Sequence, residues 1–295
     1  MQHPKVELAR IRDFGEIIND TFLFIKQNFK PLLKYFFTFC GIFIVGGIIS
    51  ASLLQLKMSS TMSSISSGTY NRQYRPSIFY FFGIEYLFTI IFALLSFVTI
   101  QVTVLSYIAL YKAKDKQIPT AEEMWGYIKY YFLRILGSSI LLNILIVFAL
   151  LFCIIPGIYL APIFALIFPI MVMENASFGY AFNRSFQLIK ENWWATFGSL
   201  IVIWIIFYVC MMVIIVPASI INTLSMVMHY PFSKPAGVAT AVLQHVCQVF
   251  TILPITTLCL CYFNLTESKE GTGLLDKINK MGTTNPDTDL PAEQY

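Results

Sequence analysis

Gln244, His245 and Gln248 fall within about one helical turn of one another, inside a long apolar stretch. Gln101, Asn143 and Glu85 are the other amide or acidic side chains in such stretches. An imidazole flanked by amides could pass a proton or hold a small solute, and an ionisable group in hydrocarbon is a functional candidate by default. The competing reading is hydrogen bonding between helices, about 0.6 kcal/mol per bond. A relay needs acidic partners, and Glu85 is the single acid in reach of this reading, so hydrogen bonding is the simpler expectation.

Hydrolytic chemistry finds little to work with. The three histidines, His3, His229 and His245, sit in a tail, a loop and an apolar run. No H-E-x-x-H, G-x-S-x-G or phosphate-cradling glycine loop is present, and no group of carboxylates and histidines is spaced to hold a metal. The sequence therefore predicts no catalytic residue, no metal site and no cofactor. Cys40, Cys153, Cys210, Cys247, Cys259 and Cys261 all lie in apolar stretches without a C-x-x-C pair, and read as reduced packing residues.

Charged residues carry two further hypotheses. Lys26, Lys129 and Lys190 occupy equivalent places beside aromatic residues, where each could hold an anionic lipid phosphate for about 1 kcal/mol. Ordinary snorkelling beside Trp125, Trp193 and Trp194 is the simpler explanation, since interfacial helices commonly carry such lysines. Glu174 and Arg184 are spaced to pair and to lock a helix to its neighbour, a structural role contributing at most about 1 kcal/mol. A net charge of +4, spread through loops, argues against nucleic acid as a partner. Membrane lipids and other membrane proteins are the partners such a surface suits.

The elements that must position these residues follow from composition. The chain of 295 residues is 57% hydrophobic and 12% charged, with a mean hydropathy of +0.70. Soluble domains carry about twice that share of charge, so the bilayer is the natural solvent. A helix needs roughly 20 apolar residues to cross it. Six segments meet or approach this: Leu32–Leu56, Phe79–Ala109, Phe132–Ile155, Ile158–Met173, Phe197–Ile221 and Val238–Phe263. The fourth is short and contains Pro162 and Pro169, which predict a kink or local unwinding. Pro156-Gly157 is expected to turn the third into the fourth. The first run begins only near Leu32 and is too long for a signal peptide, so it is expected to insert uncleaved.

Loop charge sets the direction. Sixteen of the twenty Lys and Arg flank one side of the six spans, and Lys57, Arg72, Arg75 and Lys234 the other. The positive-inside rule makes the richer side cytoplasmic and puts both termini there. Residues 57–77 read as a Ser-rich outer loop, and 264–295 as a disordered cytoplasmic tail.

The sequence also repeats itself. DFGEIINDTFLFIKQNFKPLL from Asp13 and SFGYAFNRSFQLIKENWWATF from Ser177 share Phe14/Phe178, Gly15/Gly179, Asn19/Asn183, Phe22/Phe186, Ile25/Ile189, Lys26/Lys190 and Asn28/Asn192 at one offset. A fainter copy starts at Thr120 and aligns Ile128-Lys129. Asp13 with Glu16 and Thr120 with Glu123 form capping boxes, and Ser177 is a candidate cap. Phe14, Ile17, Ile18, Phe22, Phe24, Ile25 and Phe29 share one face of a helix whose other face carries Glu16, Asn19, Asp20, Lys26, Gln27 and Lys30, as in an interfacial helix. Asn28 and Asn192 are expected to cap the elbow where that helix turns into the span. Residues 1–263 thus parse as an all-α, polytopic membrane domain of three parallel repeats, 11–111, 120–174 and 175–263. Each opens with an amphipathic interfacial helix.

The segment IPGIYLAPIFALIFPIMVMENASFGYAFNRSFQLIKENWW resembles a bacterial family, the membrane domain found fused to some glycerophosphoryl diester phosphodiesterases. Pro156 to Tyr159, Glu174 and Phe182-Asn183-Arg184-Ser185 carry the resemblance, together with the amphipathic opening from Phe14. It covers most of residues 11–263. It implies a bacterial plasma-membrane module and no esterase activity, since the catalytic barrel has no counterpart in this sequence. The expectation is a non-enzymatic protein that organises lipids or partner proteins through its interfacial helices, the rival being a small-solute or lipid permease.

Overall fold

In hydrocarbon every backbone N–H and C=O must pair within its own segment, so a long apolar run becomes a helix. A computed structural model describes residues 4–66, 83–152, 154–228 and 233–271, and no strand occurs among them. The helices are α1 (Phe14–Tyr35), α2 (Gly41–Ser66), α3 (Ile84–Ala113), α4 (Ala121–Phe152), α5 (Ile154–Met173), α6 (Phe178–Ile189), α7 (Trp193–Val227), α8 (Ser233–Val246) and α9 (Ile252–Glu270). A π-helical turn, Phe36–Cys40, joins α1 to α2, and a 3-10 turn, Cys247–Thr251, joins α8 to α9. Six of the resulting helical runs are long and apolar enough to cross a bilayer. The protein is an all-α, multi-pass membrane protein.

The six runs divide into two classes. In α3, α5 and the α8–α9 run, 44–67% of the apolar stretch is buried, against 22–28% in α2, α4 and α7. The first three therefore form the inside: α3, α5 and α9 touch one another around fully buried Leu105, Ile163, Ile167, Cys259 and Leu260. The outer helices turn large apolar side chains outward, among them Ile42, Leu133, Leu151 and Val213. A monomer in water would not tolerate so large an apolar surface. Acyl chains solvate it.

Close approaches seat the outer helices on the inner ones. Gly47 of α2 lies under the His245 ring, where a Cβ would come within 2.6 Å of the imidazole. The opening helices dock likewise. α1 runs antiparallel to α9, the backbone N–H of Arg12 donating to Asn264 at 2.8 Å and the hydroxyls of Thr21 and Thr257 standing 3.1 Å apart. α6 folds back on α5, with Phe182 resting on Phe164. The start of α4 meets the end of α3 through Lys114 and Glu123, 2.8 Å apart. Arg12 and Asn264 in contact place the N-terminal segment and the end of α9 at one end of the bundle.

Several local expectations change. The fourth segment is longer than it reads: α5 stays helical through Pro162 and Pro169, because its neighbours hold it on both sides. Residue 153, between α4 and α5, lies outside the described residues. Pro156 sits in the first turn of α5, where a missing N–H has no cost. Gly157 lies against Leu150, leaving only 2.4 Å to a Cβ. The sixth segment breaks at the 3-10 turn and runs on past 263 to Glu270. The rest of the expected tail, 272–295, lies outside the described residues. α2 continues to Ser66 through the first part of the expected 57–77 loop, and residues 67–77 are likewise outside the description. In the copy beginning at Thr120 the opening helix does not bend away. It continues straight into the span as α4, which has no Asn at the elbow position.

Candidate functional site

The two elbows share a backbone conformation. Asn28 is the one non-helical residue inside α1, at φ −111°, ψ 15°, and Asn192 before α7 has φ −117°, ψ 26°. Their side chains differ in use. Asn28 Nδ2 donates to the Phe24 carbonyl at 3.0 Å, and its Oδ1 accepts from the Tyr107 hydroxyl at 2.8 Å. This closes the turn before the kink, and Pro31 then falls in the first turn after it. Asn192 caps α7 by position, with its carbonyl accepting from Thr196 at 3.1 Å, and its side chain makes no cap bond. Ser177, similarly, begins α6 without a side-chain cap bond. The boxes at the other two starts are closed by the carboxylates of Glu16 and Glu123.

A polar junction joins α5, α6 and α9 at the end that carries the N-terminal segment. Arg184 stands 3.6 Å from Glu174 and is also bonded to Glu270. The Tyr262 hydroxyl donates to Glu174 at 2.9 Å. Burial alone would lower the Arg184 pKa, but the Glu270 hydrogen bond and both carboxylate charges outweigh it and raise the value. Tyr262 and Glu270 are 88 and 86 residues from their partners, so no local pattern in the sequence announces them.

Lys26, Lys129 and Lys190 are exposed, and none forms an ion pair among the described residues. Lys26 and Lys190 each stand just before an elbow, and Lys129 is on the straight helix α4.

The intramembrane polar residues do not converge. His245 is buried, its Nδ1 2.9 Å from the Ala241 carbonyl of its own helix. Asn143 points outward and donates to Ser139 at 2.8 Å. Gln244 is exposed. Gln101 is buried in α3, and its Oε1, like that of Gln248, has no partner among the described residues. Glu85 pairs with Lys57 at 2.8 Å. His245 lies on Gly47, ten residues before Lys57, so about 15 Å of α2 separates it from that carboxylate. An acid–base pair of Glu85 and His245 is therefore ruled out in this arrangement.

Sequence reading missed Arg12. Its side chain is fully buried, with Nε 2.8 Å from Asp20 and Nη1 donating to the Leu8 carbonyl at 2.8 Å. Together with buried Val6 and Leu8 it straps residues 4–13 across the ends of α1 and α9. The Arg-x-x-x-x-x-x-x-Asp spacing alone does not point to it. No family model matches the chain, and neither the curated proteins nor the solved structures contain a match.

Proposed function

We propose that the chain is a non-enzymatic module of a bacterial inner membrane that organises lipids or partner proteins from its cytoplasmic side. In this reading α1, the start of α4, and α6 are the amphipathic openers of three parallel repeats, and both termini are cytoplasmic. The observation that carries it is the placement of polarity. The intramembrane polar groups are spent within their own helices or scattered, whereas Lys26, Lys129 and Lys190 face outward unpaired beside aromatic side chains. The equivalent burial of Ile17, Thr21 and Phe24 in α1 and of Ala181, Ser185 and Leu188 in α6 supports the repeat. The family resemblance around Pro156–Trp194 supports the membrane-module assignment.

Extraction into native lipid discs, followed by mass spectrometry of what copurifies, tests the reading. A specific phospholipid or protein companion is expected; a lipid profile equal to the bulk membrane with no companion would overturn it. One observation favours the permease alternative, namely the unpaired buried carbonyl oxygens of Gln101 and Gln248. That reading requires solute flux in proteoliposomes that Gln101→Leu abolishes.

A further inference from the structure

Beside each elbow the structure opens a groove, and two lining positions recur between them at the repeat offset. One, of about 510 Å3, lies between the start of α5 and the start of α7. Its walls are Ile155, Ile158, Tyr159, Trp193 and Phe197, and Lys190 and Glu191 stand at its mouth. Tyr159 and Trp193 stack at 5.4 Å, and the indole Nε1 donates to the Tyr159 carbonyl at 3.1 Å, which fixes that wall. The other, of about 380 Å3, lies between α1 and the start of α9, lined by Phe22, Ile25, Phe29, Leu33, Phe250 and Leu253 among others. At the repeat offset Phe29 and Leu33 correspond to Trp193 and Phe197, and Lys26 corresponds to Lys190. Lys26 is not among the residues that line the α1 groove. Neither groove draws a residue from α4, the opener without an elbow.

We infer that the α5–α7 groove is a binding site for one glycerophospholipid with an amine headgroup. The acyl chain lies along Ile158, Tyr159 and Phe197, the phosphate on Lys190 and the ammonium toward Glu191. Both volumes fall in the range of small-molecule sites. A carbon-lined groove gains little over bulk lipid, which is equally apolar, so the groove selects shape and the charged mouth selects the molecule. Lys190 has no ion pair among the described residues to give up. Glu191 beside it repels a headgroup that is only anionic and complements one that carries phosphate and ammonium together. Trp194, 79% exposed at the same mouth, belongs where an indole meets the headgroup layer. The α1 groove has Gln27 where this one has Glu191, so it lacks the second charge.

The inference rests on the lipid-organising reading and is tested separately from it. The full-length protein is released from vesicles of equal phosphatidylethanolamine and phosphatidylglycerol, and retained lipids are counted by native mass spectrometry. Wild type is expected to keep phosphatidylethanolamine. Lys190→Gln should weaken retention about fivefold, the factor corresponding to one phosphate contact. Ile158→Trp, which fills the groove from an exposed position, should weaken it with Lys190 intact, and Lys30→Gln, an exposed lysine outside the groove, should leave it unchanged. Retention surviving Ile158→Trp, or falling as much in Lys30→Gln as in Lys190→Gln, overturns the groove and leaves a general lysine attraction. A wild type that keeps no phospholipid overturns the lipid-organising reading as well.

Discussion

Arg184 illustrates how a single side chain ties three helices together. It holds Glu174 of the α5 end and Glu270 of α9 at once, so its removal leaves two carboxylates facing each other in a partly buried pocket. Arg184→Ala is expected to cost about 1–2 kcal/mol, an apparent Tm lower by roughly 2–8 °C in detergent. Adding Glu270→Gln to Arg184→Ala should recover part of the loss, and no recovery would mean that charge is not the cause. Gly47 makes a different residue-scale point. A Cβ there meets the His245 ring, so Gly47→Ala should destabilise by about 1–3 kcal/mol through overpacking. In His245→Ala the same substitution should be nearly free, a coupling of about 1 kcal/mol or more by double-mutant cycle. Strict additivity would show that the close approach does not exist. At this scale the sequence reveals the Glu174/Arg184 spacing because both lie within one short hairpin. It conceals Tyr262, Glu270 and the Gly47–His245 contact because those depend on packing between distant segments.

The helices themselves were legible, since a run of some 20 apolar residues leaves the backbone no alternative in hydrocarbon. Their junctions were not. Pro156-Gly157 looks like a turn, yet Pro is equally at home in the first turn of a helix, and both residues lie within α5. The π turn at Phe36–Cys40 and the 3-10 turn at Cys247–Thr251 carry no distinctive residues, being adjustments to neighbours rather than local preferences. The elbows fall between these cases: the repeat points to Asn28 and Asn192, but only packing shows that the side chains act differently. Asn28→Ala loses two buried hydrogen bonds and strands the Tyr107 hydroxyl, so it should cost about 2–3 kcal/mol. Asn192→Ala removes no side-chain cap and should cost less than about 1 kcal/mol. Thermal melts of the two variants in one detergent decide the matter, and equal losses would refute this account of the elbows.

For the whole molecule, hydropathy alone does not separate inner from outer helices, because all six runs are apolar; burial does. What hydropathy and charge together predict is parity. An even number of crossings returns a chain to the side from which it started, and the contact of Arg12 with Asn264 puts both ends of the described chain together. Lys114 lies at that end beside Glu123. Lys57 is 22 residues beyond Tyr35, whose hydroxyl reaches the Pro119 carbonyl at 2.5 Å, so about 33 Å of helix carries it to the opposite end, near where α8 begins. That length matches the hydrocarbon thickness. With the native cysteines replaced by serine or alanine, Lys234→Cys should react in intact cells with a membrane-impermeant maleimide. Lys114→Cys should react only after the membrane is opened, because the positive-inside rule predicts a cytoplasmic place for the side that carries sixteen of the twenty basic residues. Reaction of both from outside would break the parity and the charge argument together, since no six-crossing path puts residues 114 and 234 on one face.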